Sequence, residues 1–205
     1  MNLSRNRWIL AAGVTGVAVA VAIAGAVAAN AAQDPAGVTA SQAPGRPSTT
    51  QAPPPAPKSI GEVVDTGIAA KQGTWVLSFV PVKDIPGTSF GVMAGRRQAS
   101  GAVTADIMTN ETTGSDRAPG FHAVEGHMEV NGEPSPTFGY YVGPVEKITG
   151  RAGGRTVTAS TAAWSEDATV KAFWFAPDAG SVSGLKAFDA AGKALPDGNS
   201  GVAVG

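Results

Sequence analysis

Beyond about residue 59 the chain is written in short apolar runs of period two, punctuated by glycine. Trp75, Leu77 and Phe79 alternate with Val76, Ser78 and Val80 until Pro81, which predicts a strand turning one aromatic face inward. Further strands are expected at Phe90 to Ala94, Val103 to Met108 and Phe121 to Val130. After the last of these, Asn131-Gly132 is the strongest two-residue hairpin signal in the chain. The series continues with Phe138 to Val142, Val145 to Thr149, Arg155 to Ala163, Val170 to Phe175, Leu185 to Phe188 and Lys193 to Leu195. Gly153-Gly154 and Asp189-Ala190-Ala191-Gly192 supply turns, and no segment holds a helical apolar stripe for three turns. Short strands at this spacing predict an all-β fold, an antiparallel β-sandwich or barrel over residues 59–205.

Residues 1–58 follow other rules. Trp8 to Ala29 is a 22-residue run without a charge, preceded by Arg5 and Arg7 and followed by Asp34. About 20 apolar residues cross the ~30 Å hydrocarbon core of a bilayer, and the flanking arginines keep the N-terminus on the cytoplasmic side. Nine alanines and three glycines make the run weakly hydrophobic for its length, and Ala29-Asn30-Ala31 reads as an A-x-A cleavage site. Residues 1–31 are therefore expected to be a signal peptide or a single transmembrane anchor, with everything after them extracytoplasmic. No cysteine follows, so a lipoprotein anchor is excluded. Residues 32–58 carry seven prolines among Ala, Ser, Thr and Gln and no aromatic residue, the composition of a disordered, partly polyproline II linker. Its 27 residues reach about 80 Å at full extension, at ~3.1 Å each.

Charge narrows the partners. Residues 1–58 have four basic side chains against one acidic, and residues 59–205 have 11 against 15, so a net charge of +3 is joined to one of −4. A mildly acidic domain without a basic run does not suit nucleic acid. The absence of cysteine removes disulfides, thiol nucleophiles and cysteine-ligated metals. There is no G-x-S-x-G, no Walker A sequence and no G-x-G-x-x-G after a strand, and the residues call for no cofactor.

Three groups of residues invite a chemical reading. The only two histidines, His122 and His127, lie five apart, on opposite faces of a strand rather than one helical turn apart as in zinc proteases. On a continuous strand His127 would share its face with Glu125 and Glu129, a weak candidate site for a divalent cation. Phe138-Gly139-Tyr140-Tyr141 places Tyr140 and Tyr141 on opposite sides, so one ring is a candidate for stacking on a sugar or a partner. Trp164 and Trp174 would extend such a platform. Arg96-Arg97, the one adjacent basic pair after residue 59, reads as a solvated turn, and Asp106, Glu111 and Asp116 are too irregular for a calcium loop.

The closing segment, from Val170-Lys171-Ala172-Phe173-Trp174-Phe175 through Leu185-Lys186-Ala187-Phe188 to Asp189-Ala190-Ala191-Gly192-Lys193-Ala194-Leu195, resembles the last strands of immunoglobulin-like modules and of uncharacterised exported actinobacterial proteins. The resemblance is confined to this segment and implies a fold class, the immunoglobulin-like sandwich, without an active site. Taken together, the readings lead to an exported, non-catalytic β-sandwich on a proline-rich stalk that binds an envelope glycan or a protein partner. The alternatives are a metal-dependent hydrolase using His127, Glu125 and Glu129, and the ectodomain of a sensor or regulator.

Overall fold

The computed structural model describes residues 56–112 and 114–202. The expected signal or anchor segment and all of the linker before residue 56 lie outside the described residues, as do Thr113 and residues 203–205. In chain order the strands are β1 (Ile60–Ala70), β2 (Gly73–Pro81), β3 (Phe90–Arg97), β4 (Ile107–Asn110), β5 (Gly120–Glu125), β6 (Glu129–Val130), β7 (Glu133–Pro134), β8 (Thr137–Val142), β9 (Lys147–Ala152), β10 (Arg155–Thr158), β11 (Ser160–Trp164), β12 (Asp167–Phe175) and β13 (Ser183–Phe188). One 3₁₀ turn, Pro177–Ala179, follows β12. Among the described residues no helix is long and apolar enough to cross a membrane.

The fold is all-β, and every pair of these strands is antiparallel. The first sheet has the order β1-β2-β3-β4, the second β11-β12-β8-β5 and the third β10-β9-β13, while β6 and β7 form a separate hairpin. The second sheet is apolar on both faces. From β8 and β12, Phe138, Tyr140, Val142, Val170, Ala172 and Trp174 pack into one cluster with Trp75, Leu77, Phe79, Phe90 and Val92 of the first sheet. The residues between them, Tyr141, Phe173 and Phe175, point the other way and pack with Ile148, Ala152, Leu185 and Ala187 of the third sheet. A period of two thus serves two cores, and the second sheet is the middle layer of three. Each large side chain withdrawn from water in these clusters contributes about 1.5–3 kcal/mol.

Several expectations change in detail. Val76, Ser78 and Val80, expected on the outward row of β2, are buried along with Trp75, Leu77 and Phe79. The expected run from Phe121 to Val130 is broken: β5 ends at Glu125, and β6 begins at Glu129. The predicted strand at Arg155 to Ala163 is two strands, because the chain leaves β9 after Thr158 and pairs with β12 from Ser160. Lys193 to Leu195 is reduced to a single bridge, Phe188 with Ala194. The Asn131-Gly132 turn is present, with φ of 53° and 76°, as a hairpin turn of the primed type requires.

Candidate functional site

His127 leaves the strand register on which its candidate site depends. Glu125 is the last residue of β5, residues 126–128 lie between strands, and Glu129 opens β6, so the three side chains share no continuous face. Among the described residues no group of three or more His, Asp or Glu is placed to hold a metal ion. The expected cation site at His127, Glu125 and Glu129 is therefore not assembled. The cause is local: the His127 backbone N–H donates to Thr137 Oγ1 at 3.1 Å and that of Met128 to Ser135 Oγ at 3.0 Å. Side-chain hydroxyls replace strand partners there and turn the chain into the β6–β7 hairpin. Burial holds the Glu125 carboxyl above its ordinary range.

The aromatic platform is also overturned. Tyr140 and Tyr141 are fully buried, and Trp164 and Trp174 are 4% and 7% exposed, so none presents a ring face to solvent. Tyr140 faces the first core and donates its hydroxyl to Asp116 O at 3.2 Å, while Tyr141 faces the second and donates to Pro196 O at 3.0 Å. Burial raises both phenols above their ordinary range, aided at Tyr140 by the Asp116 and Glu111 charges and at Tyr141 by Asp197. Both remain donors. Trp164 stacks on Phe79 at 4.6 Å and donates its indole N–H to Ile60 O at 2.9 Å.

The residues that read as bland in the sequence are the ones brought together. His122 is buried and stacks on Tyr140, ring centroids 5.0 Å apart. Its Nδ1 lies 3.1 Å from Glu111 Oε1 and its Nε2 2.6 Å from Ala118 O. Glu111 Oε1 also accepts the Ala123 backbone N–H, and Oε2 accepts Asn199 Nδ2. A carbonyl only accepts, so Nε2 carries a hydrogen and donates it to Ala118 O. The pair ties the β4–β5 loop, β5 and the C-terminal segment together. Asp116 plays a similar part, its Oδ2 accepting the Ser89 N–H and hydroxyl and the Phe90 N–H.

Arg96 corrects the expectation of a solvated turn. It lies in β3, 7% exposed, and its guanidinium forms a fork with Asp106, at 2.8 Å from Nε and 2.7 Å from Nη2, with Glu133 at 3.4 Å from Nη1. Burial by itself would raise the Asp106 carboxyl; hydrogen bonds from Arg96 and Thr104 and the Arg96 charge outweigh it and hold the group below its ordinary range. These ions join β3, the β3–β4 loop and β7.

The outer face of the third sheet carries a different arrangement. Lys147 and Arg151 of β9 and Lys186 of β13 stand there exposed, opposite the row that fills the second core. Lys186 pairs with Thr149 across the strands and Phe188 with Lys147. A shallow cavity of about 440 Å³ opens beside them, lined by Glu146, Lys147, Phe188, Asp189, Ala190 and Gly192.

No protein-family model, no curated protein and no solved structure matches the chain.

Proposed function

We propose that the chain is an exported, non-catalytic binding module: an immunoglobulin-like sandwich enlarged by a third sheet, carried outside the cytoplasmic membrane on a proline-rich stalk, and engaging an envelope component. The observation that carries this reading is the order of the sequence, in which Arg5 and Arg7, the uncharged run from Trp8 to Ala29 and a proline-rich tract precede a strand-only domain. An arginine-flanked segment inserts with its charged end inside, which sends all that follows outward. The buried polar groups of the domain support a binding role over a catalytic one. Glu111, His122, Asp116, Arg96 and Asp106 are each tied to partners on other loops or strands, where they brace the fold.

The test is location followed by binding. Protease added to intact spheroplasts is expected to cut the stalk and free a strand-rich fragment if residues 8–29 anchor the chain. If they are cleaved, a mature chain beginning near Ala32 is expected in the medium. Wild-type protein is further expected to co-sediment with isolated envelope fragments. A full-length chain protected from protease in the cytoplasm overturns the export reading, and failure to co-sediment overturns the binding role.

A further inference from the structure

The third sheet departs from the charge of the rest of the domain. Its strands read KITGRA, RTVT and SGLKAF, with four cations and no acidic side chain, within a stretch whose net charge is −4. Of the 11 basic side chains in 59–205, Arg96, Arg97, Arg117, Lys171 and Lys186 have ion-pair partners. Four of the remaining six, Lys147, Arg151, Arg155 and Lys193, lie on the β9–β10 hairpin or just after β13, and none makes an ion pair among the described residues. Arg151 uses one guanidinium N–H on Gly154 O at 2.9 Å and keeps the others. Lys186 contacts Asp197 at 2.8 Å, with both side chains about half exposed at 55% and 49%, an arrangement worth little and readily exchanged.

The geometry of this face selects among anions. Lys147 and Arg151 are four positions apart on β9, about 13 Å along the strand, and Lys186 sits one strand over, opposite the midpoint Thr149. The cations form a row suited to repeated, separated charges instead of one compact phosphate. Between and beside them are hydroxyls, Thr149 and Thr156, and the half-buried ring of Phe188 next to Lys147. Hydroxyls hydrogen-bond sugar hydroxyls, and an aromatic ring packs on a sugar face. No large apolar side chain protrudes here for insertion between lipids; among the described residues the one exposed large apolar side chain is Met108, in the first sheet.

We propose that the exposed face of the third sheet binds an anionic, carboxylate-bearing polysaccharide, with Lys147, Arg151 and Lys186 as its charge contacts. This rests on the envelope-binding reading above and gives it a surface and a chemistry. The experiment is calorimetric titration of the full-length chain with polygalacturonate at low salt, with dextran as the neutral polymer and phosphatidylglycerol vesicles as the lipid arm. Wild type is expected to bind polygalacturonate and not dextran, with affinity falling as salt rises. The double variant Lys147→Gln/Arg151→Gln is expected to weaken binding about fivefold, the scale of two exposed ionic contacts. A control with the same loss of charge elsewhere, Lys58→Gln/Lys83→Gln, is expected to stay within about twofold. The control matters because net charge alone would weaken both doubles equally, and that result overturns the assignment. Vesicle binding that falls in the Lys147/Arg151 double, without binding to polygalacturonate, overturns it in favour of a lipid headgroup, and no binding to polygalacturonate overturns it outright. Envelope co-sedimentation separates the two claims: if both wild type and the Lys147/Arg151 double sediment equally, the envelope role stands and this face is the wrong one.

Discussion

Arg96 shows how a single residue type can mean opposite things in sequence and in structure. Beside Arg97 it reads as solvated, yet its partners Asp106 and Glu133 are ten and 37 positions along the chain and meet it only once β3, the following loop and β7 are in place. No local spacing announces such a cluster. Its energetics are asymmetric: a buried pair contributes modestly, whereas removing one partner strands the other and costs about 3 kcal/mol. Asp106→Ala is expected to lower the urea midpoint accordingly without changing the slope. The pH dependence follows from the depressed Asp106 carboxyl. A group that holds its proton more weakly when folded stabilises the fold fully above its unfolded value, about 3.9, and loses that contribution as pH falls through the lower folded value. Wild type should therefore lose thermal stability on acidification in this window, and Asp106→Asn should be less stable at neutral pH and flatter through it. An Asp106→Asn midpoint that fell with acid as steeply as wild type would remove Asp106 as the source.

At the scale of elements, the strands most legible in the sequence are those with a strong apolar rhythm or a strong turn. β2, β8, β12 and β13 fall where the alternation puts them, and Asn131-Gly132 and Gly153-Gly154 turn where expected. β1 carries no such signal, because register shifts interrupt its pairing with β2 and Gly61 and Gly67 sit at positive φ, breaking the period. The candidate site is less legible. Alternation assigns a residue to a face but says neither where a strand stops nor what covers it, so His127 loses its register and Tyr140 and Tyr141 each enter a different core. Backbone contacts at the C-terminal segment are invisible for the same reason. Residues 197–199 lie along β5, with the Phe121 N–H donating to Asp197 O at 3.3 Å and the Asn199 N–H to Phe121 O at 2.9 Å. That approach requires Gly120, whose φ is +133° and whose missing Cβ would collide with Gly198 Cα. Gly120→Ala is expected to detach this segment. Hydrogen exchange at the Phe121 and Asn199 amides should accelerate strongly while amides in β8 and β12 keep most of their protection; unchanged exchange at those two amides would show the contact to be dispensable.

For the molecule as a whole, the middle position of the second sheet decides how the described domain unfolds. β5, β8 and β12 each give residues to both clusters, so loosening either core removes the backing of strands that wall the other. The two clusters meet through the second sheet, and the three layers are expected to act as one cooperative unit. The chain offers a spectroscopic means of testing this. Trp75, Trp164 and Trp174 all lie in the first cluster, and the fourth tryptophan, Trp8, precedes residue 56 and is lost when the chain is shortened to that point. In a chain of residues 56–205, tryptophan fluorescence therefore reports the core between the first and second sheets, while far-ultraviolet circular dichroism reports the strands of all three. The expected outcome is a β-type spectrum and a single thermal transition with the same midpoint by both probes. Midpoints that separate, with circular dichroism changing before the tryptophans, would mean that the third sheet melts as an independent layer, and the shared strands would then be a wall between two units rather than the bond that makes them one.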